Sequence, residues 1–337
     1  MTMIRALLAG IAAALLATGV ARAGPTLDAI KERGSLRCAV NTGLQGFAAP
    51  DSQGRWSGID VDFCRALAAA ILGDPGKVEF RPTNTQNRFT TLQTGEVDIL
   101  SHNTTWSASR DSSLGLTFAG ILFYDGQGFM VPKSLGIESA RELDGATVCI
   151  LPGTTTELNL ADWFRAHSME FRPVVIGELS QILQAFFAGR CDVFTSDISG
   201  LASVRQGADQ PDDWVILPEA ISKEPLGPAV RRDDWELFTI VRWTLFGLLE
   251  AEEYGITSAN VEQQRKTSKS PAVQRMLGAT GEIGKGLGLD PDWLVRVVGA
   301  VGNYAEMYER NIGPLGIPRG QNALWKDGGL MYPPPIR

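Results

Sequence analysis

Twice in succession the sequence spells strand, helix, strand, helix, strand. The first round runs through "GSLRCAVN", a short apolar run, and "WSGIDVDFCRALAAAIL", whose Ile59, Phe63, Leu67, Ala70 and Ile71 recur at helical spacing. It continues with the strand "KVEFRP", the short helix "NRFTTLQTG" with its glycine stop, and the strand "EVDILS". The second round repeats the plan in "ATVCIL", "TTTELNLADWFRAH", "FRPVVIG", "ELSQILQAFFAGR" and "CDVFTSD". Such alternation predicts mostly parallel sheets covered by helices, and two rounds predict two α/β lobes. The two extended, Pro- and Gly-bearing stretches "YDGQGFMVPKS" and "ILPEAISKEPLGPAVRR" read as crossovers between them. After them come the amphipathic run "DDWELFTIVRWTLFGLLEAEEYGI", whose Trp235 and Trp243 read as core, and a Gly- and Pro-rich tail with one short helix, "PDWLVRVVGAVGNYAEMYERN". The periodicity gives that tail only the reading of a partly packed extension.

The ends and the charge say where such a chain works. Arg5, the apolar run from Ala6 to Val20 and the small-x-small Ala21-Arg22-Ala23 have the form of an export signal cleaved after Ala23. The run is too short for a spanning helix. Removing residues 1–23 takes away Arg5 and Arg22 and no acid, moving the net charge from −7 to −9. A chain this acidic, without a basic cluster, is not expected to bind nucleic acid. Its four cysteines, an even number in an exported chain, imply disulfides. Three pairings are possible, and the local one, Cys38–Cys64 with Cys149–Cys191, puts one staple in each half of the chain and is the one expected. Their spacing does not suit a zinc site, and no metal or cofactor is expected.

Ligands of parallel sheets bind beyond the carboxyl ends of the strands. Three loops fall there. "SHNTTWSASR" carries Asn103, Thr105, Trp106 and Arg110. "LPGTTTE" opens a helix at Thr154 and Thr155, with Gly153 permitting close approach and free N–H groups at the positive end of the helix dipole. "DVFTSD" ends on Asp197. Placed face to face, Arg110 offers a planar fork for a carboxylate, helped by the Thr105 hydroxyl and the Thr154–Thr155 turn. Asp197 and a backbone carbonyl near Asn103 suit an ammonium. The complementary ligand is an α-amino acid, with Trp106 as a candidate cleft wall. Each piece also has a plain structural reading: a surface ion pair for the Arg, a helix cap for "GTTTE", a turn cap for Asp197. Only their coincidence at three strand ends favours a site. Enzyme motifs are weak. The two histidines, His102 and His167, read as structural or exposed, "GDPGKV" lacks the P-loop frame, and "GKGLGL" misses the dinucleotide fingerprint.

In order, "GRWSGIDVDFCRALA", "GEVDILSHNTTWSASRD", "GTTTELN", "GRCDVFTSD" and "EPLGPAVR" resemble the signatures of the family 3 solute-binding proteins. These are the extracytoplasmic amino-acid receptors of ABC importers. "YDGQGFMVPK", "GTTTELNLADWF" and "NALWKDGGLMYPPPIR" look closer still to the branch that binds L-amino acids generally and carries a C-terminal extension. The resemblance implies a two-lobe, type II periplasmic-binding-protein fold, hinge-linked, with the ligand in the interlobe cleft. Its divisions are a signal peptide at 1–23, lobe 1 at 24–126 and 228–262, lobe 2 at 132–216, hinge crossovers at 127–131 and 217–227, and an extension at 263–337 packing on the lobes. It implies Arg110, Thr105, Thr154 and Thr155 around the ligand carboxylate, and Asp197 with the Asn103 carbonyl on the ammonium. Asn41, Leu44, Phe47, Gln86 and Arg88, with Trp106, are candidates for the side-chain wall, and "NTGLQGF" lacks the acid and the aromatic that smaller members carry there. The partners implied are an L-amino acid and an inner-membrane ABC permease, for a monomeric periplasmic protein that is not an enzyme. Two alternatives stand beside it: an exported cyclohexadienyl dehydratase-like enzyme using His102 or Glu157 as acid, and a sensory or adaptor module binding a protein through its tail.

Overall fold

A computed structural model describes residues 24–337. The leader expected over residues 1–23 lies outside them. Among the described residues no helix is long and apolar enough to cross a membrane.

Two five-stranded sheets form, one from each round of the sequence pattern. In the first, Leu36–Asn41 pairs in parallel with Val78–Thr83 on one side and Ile99–Leu100 on the other. Ala229–Arg231 and Leu116–Phe118 extend it antiparallel. In the second, Ala146–Ile150 lies in parallel between Phe171–Val175 and Val193–Asp197, and Gln127–Pro132 and Trp214–Ile216 complete it antiparallel. The chain leaves the first sheet and later returns to it through a small ribbon of its own, Phe123–Asp125 paired antiparallel with Glu224–Leu226.

That ribbon corrects one expected crossover. Residues 127–131 belong to the strand Gln127–Pro132, whose Phe129, Met130 and Val131 are fully buried in the second lobe. Buried on both faces, Phe129, Met130 and Val131 show no polar alternation to separate the strand from the linker before it. The passage between lobes lies a few residues earlier. The other expected crossover, 217–227, does contain its ribbon strand.

Both expected disulfides are present. Cys38–Cys64 ties an inner strand of the first sheet, Leu36–Asn41, to the helix Ile59–Leu72, and Cys149–Cys191 ties the strand Ala146–Ile150 to the loop just before the strand Val193–Asp197 of the second. Their sequence separations of 26 and 42 correspond to about 3–4 kcal/mol of lost chain entropy per bridge in the unfolded state. Replacing Cys149 and Cys191 together by alanine is therefore expected to lower the free energy of unfolding, read by urea titration, by about 3 kcal/mol.

The tail is far better packed than its composition suggests. Trp293, Val297, Val298, Tyr304, Met307 and Ile312 share one apolar core with Val40, Phe63, Leu67 and Leu245 of the first lobe. Gly247, in the helix Trp235–Glu253, has no side chain where Leu294 and Trp293 press in; a Cβ there would meet Leu294 at 2.7 Å. The single helix expected over "PDWLVRVVGAVGNYAEMYERN" is two, Trp293–Val301 and Tyr304–Asn311. Gly302, at φ 83°, breaks the first, and Asn303 starts the second with a capping box shared with Glu306. Trp235 does not join the core. It stands 68% exposed, while Trp243 packs against the core from its edge.

The tail also reaches the ribbon and the second lobe. Asn322, buried, accepts from the Tyr124 N–H at 2.7 Å and donates to the Tyr124 carbonyl at 3.0 Å, and the Tyr304 hydroxyl donates to the Leu122 carbonyl. Gln206 of the second lobe donates to the Pro314 carbonyl at 2.9 Å.

Candidate functional site

The loop after Ile99–Leu100 is held in an unusual shape. Asn103 sits at φ 36°, in the left-handed region, a conformation that asparagine tolerates better than most residues. Asp60, in the first turn of the helix Ile59–Leu72, fixes it. Its carboxylate accepts from the Ser101 hydroxyl at 2.7 Å and from the Asn103 N–H at 2.8 Å. Asn41, at the end of its strand, donates to the Asn103 side chain. Burial pushes the Asp60 carboxyl up to about 6. Sequence reasoning gave Asp60 no role, although an acid at a helix start is a signal for something to bind there.

Across the cleft the helix Thr155–Ala166 begins after Gly153, which takes φ 73° with its Cα side facing the Thr85 carbonyl. The cap residue Thr154 does not bond the helix; its hydroxyl donates back to the Leu151 carbonyl. The first N–H groups of the helix are therefore left to face the cleft. Asp197 ends the strand Val193–Asp197 and precedes a helix, and its side chain makes no cap bond to it. The simple capping reading does not hold for either residue.

The lobes touch across the mouth. The Thr85 hydroxyl donates to the Pro152 carbonyl, Asn84 donates to Glu178, and the Thr105 and Thr155 hydroxyls lie 3.3 Å apart. The cavity enclosed between them is lined by Asn41, Leu44, Arg88, Asn103, Thr105, Thr154, Thr155 and Asp197. These eight of the residues singled out from sequence come together. Four do not line it. Phe47 is buried in the first-lobe core, edge-on to Phe123; an aromatic after a strand end serves the core as readily as a wall. Trp106 stacks on Phe118 under the loop. Gln86 is exposed at the mouth, near Gly177. Arg110 is 8% exposed and folds back, its Nη1 donating to the Thr105 carbonyl at 2.9 Å.

Two guanidiniums, Arg88 and Arg110, lie over the Phe89 ring, each 5.0 Å from its centre. Arg88 is buried at 3% exposure and opens on the cavity. Burial, and secondarily Arg110, bring it down to about 9, so it stays cationic at neutral pH. It donates weakly to Thr104 and faces His102 Nδ1. The other ring nitrogen of His102 lies 2.7 Å from the Thr83 carbonyl, the geometry of an Nε2–H donor. Burial and Arg88 hold this imidazole down to about 3, hence neutral.

Facing these cations are three carboxylates, two of which sequence reasoning missed. Burial raises Asp197 well above the usual carboxylate range, reinforced by Asp125 and Glu224 and opposed by Arg88 and Arg110. Asp125, on the ribbon, accepts from the Ser199 hydroxyl and the Gly126 N–H, and burial takes it up to about 6. Glu224, also on the ribbon and 1% exposed, accepts from Thr105, Thr155, Asn159 and Ser222. The signal available for both was an acid set among the Gly and Pro of a crossover, where chain entropy alone gives no reason for a charge. Among the described residues no cluster suited to a metal ion is found.

Two lobes joined by a two-stranded ribbon, with buried charges of both signs converging on the gap, define the two-lobe, type II solute-binding fold. The chain belongs to the bacterial extracellular solute-binding proteins, family 3, whose family model matches residues 36–259. It is 54% identical over 335 residues, covering 98% of each chain, to the general L-amino acid-binding periplasmic protein AapJ of Rhizobium johnstonii. It is 53% identical over 330 residues, covering 97% of each, to the glutamate/glutamine/aspartate/asparagine-binding protein BztA of Rhodobacter capsulatus. The structure of an ABC-transporter periplasmic binding protein from Brucella ovis, with glutathione bound, superposes with a TM-score of 0.91 at 55% identity, covering 93% of this chain and 99% of that one.

Proposed function

We propose that this chain is the periplasmic receptor of an ABC importer for L-amino acids, of broad specificity. The observation that carries the reading is Asp197: a buried carboxylate opening on the interlobe cavity without a helix-capping bond, within the field of two buried guanidiniums. An α-amino acid supplies the charges such a site lacks. In this reading its ammonium pairs with Asp197 and the Asn103 carbonyl. Its carboxylate meets the open N–H groups at Thr155 and Thr156, with Thr154 shaping the turn, Thr105 beside it with its hydroxyl turned to Glu224, and Arg110 supplying the positive field from behind Thr105. Asn41, Leu44 and Arg88 form the side-chain wall. The names of the AapJ and BztA relatives support the same ligand class.

The ligand touches both lobes, so it favours the closed state by the contacts that only closure provides. The lobes swing about the ribbon Phe123–Asp125 and Glu224–Leu226, and the closed monomer docks on an inner-membrane permease after export and cleavage behind Ala23. The dehydratase alternative is disfavoured because neither candidate suits a general acid: His102 lines the cavity but is a neutral imidazole engaged with Thr83, and Glu157 is exposed and does not line it.

The test is a thermal-shift panel on protein unfolded and refolded to strip carried ligand, covering the common L-amino acids and two D-isomers. Ligand at a hundred times its dissociation constant adds about 2.7 kcal/mol to stability, and shifts with many L-amino acids are expected. No shift with any of them would refute the reading.

A pH dependence follows from the carboxyl cluster. Asp197 and Asp125 hold their protons to higher pH than ordinary carboxyls, and only the ionised form pairs with an ammonium. Affinity is therefore expected to rise as pH increases above the ordinary carboxylate range, where Asp197 gives up its proton, with protons released on binding. For ligand-free protein the sign is reversed. Both carboxyls hold protons more tightly folded than unfolded, so the contribution of Asp125 to stability is complete below about 4 and lost as pH climbs through about 6, and that of Asp197 has the same sign. Calorimetric titrations in buffers of different ionisation heat, from pH 5 to 8, read both the affinity and the released protons.

A further inference from the structure

Glu224 is the most heavily bonded side chain near the cavity, yet it is not among the cavity's lining residues. Its oxygen Oε2 accepts from the Thr105 hydroxyl of the first lobe at 2.5 Å and from the Thr155 hydroxyl of the second at 2.9 Å. Its other oxygen accepts from Asn159, one turn further along the second-lobe helix, at 2.7 Å, and from Ser222 at 2.6 Å. One carboxylate on the ribbon thus gathers hydroxyl protons from both sides of the gap.

These bonds do not all behave alike when the lobes part. The first-lobe loop is pinned to the ribbon by its backbone: the Trp106 N–H donates to the Pro225 carbonyl, the Gly227 N–H donates to the Thr104 carbonyl, and Thr105 bridges to Leu226. Thr105 therefore travels with Glu224. Ser222 lies two residues before Glu224, just ahead of the ribbon strand. The bonds from Thr155 and Asn159 have no such tether, because both residues ride on the helix Thr155–Ala166 of the other lobe. A swing of the second lobe stretches these two first.

We propose that Glu224 is a positioning residue that latches the closed state, joining the ribbon to the second-lobe helix through Thr155 and Asn159 and so setting how long the cleft keeps its ligand. It rests on the receptor reading above, and it acts without contact to the ligand. Because the latch forms only as the lobes meet, it governs escape rather than entry. Hydrogen bonds to a charged acceptor are about twice as strong as neutral ones, and a glutamine in its place presents an NH₂ where a carboxylate oxygen took two protons.

The experiment is stopped-flow tryptophan fluorescence on wild type, Glu224→Gln, Asn159→Ala and the double variant. The probe is L-glutamine, or the panel amino acid giving the largest thermal shift. Glu224→Gln is expected to speed dissociation roughly tenfold or more, with association within about twofold of wild type. Asn159→Ala, which loses one bond outside the cavity lining, is expected to speed it several-fold, and the double variant to fall well short of the product of the two. A residue serving only stability would lower the melting temperature of these variants and leave dissociation unchanged, and that result overturns the latch. Should Glu224→Gln fail to fold, wild-type dissociation from Asn159→Ala overturns it alone. Wild type that binds no amino acid in the same instrument refutes the receptor reading, and the latch with it.

Discussion

Asp197→Asn is expected to weaken L-amino acid binding by about a hundredfold or more while making the ligand-free protein more stable. The loss follows from the cost of burying a ligand ammonium against a neutral amide. Removing one member of a buried charge pair costs about 3–5 kcal/mol, and each 1.4 kcal/mol is a factor of ten in affinity. The gain follows from the same carboxylate in the absence of ligand. Asp197 is buried and lies in the repulsive field of Asp125 and Glu224, so a neutral side chain of equal size relieves both penalties. Opposite signs for stability and binding mark a residue kept for its task. Calorimetric titration and thermal denaturation at pH 7.5 read the two effects on one preparation. Wild-type affinity in the variant would remove Asp197 from the ammonium site.

Trp293→Ala is expected to cost about 3–5 kcal/mol of stability. Trp293 is the largest fully buried side chain of the tail and lies in the same core as the first-lobe helices. Its ring and that of Leu294 close over Gly247, so truncation opens a cavity between elements that neither can fill by sliding. Trp235→Ala is the control. That ring is 68% exposed, and its loss is expected to change stability by no more than about 0.5 kcal/mol. Urea unfolding of both variants separates a tail that belongs to the first lobe from one merely laid upon it.

Much of this architecture was legible because it is local. Strand and helix periodicities mark both sheets, and the carboxyl-end rule points Asn103, Thr105, Thr155 and Asp197 at one gap. The cysteines, each on or beside a regular element of its own half, pair as local closure suggests. What escaped was set by contacts distant in sequence. Asp60 and Ser101 meet across 41 residues and Glu224 and Thr105 across 119, so nothing beside either acid announces its partner. Phe47 and Trp235 were misplaced for a related reason. An aromatic near a strand end or on an apolar helix has no local mark of whether it faces cleft, core or solvent. The tail's packing depends on Gly247, whose missing side chain matters only once a second helix lies against it.

The central claim is that the cleft holds a zwitterion, with both charges required. It is tested most directly by calorimetric titration of refolded protein with one L-amino acid that shifts it, its des-amino acid and its decarboxylated amine. The account predicts one-to-one binding of the amino acid, with both analogues weaker by at least a hundredfold. Equal binding of the des-amino acid would contradict it, because the Asp197 side of the cleft would then have no charge to hold.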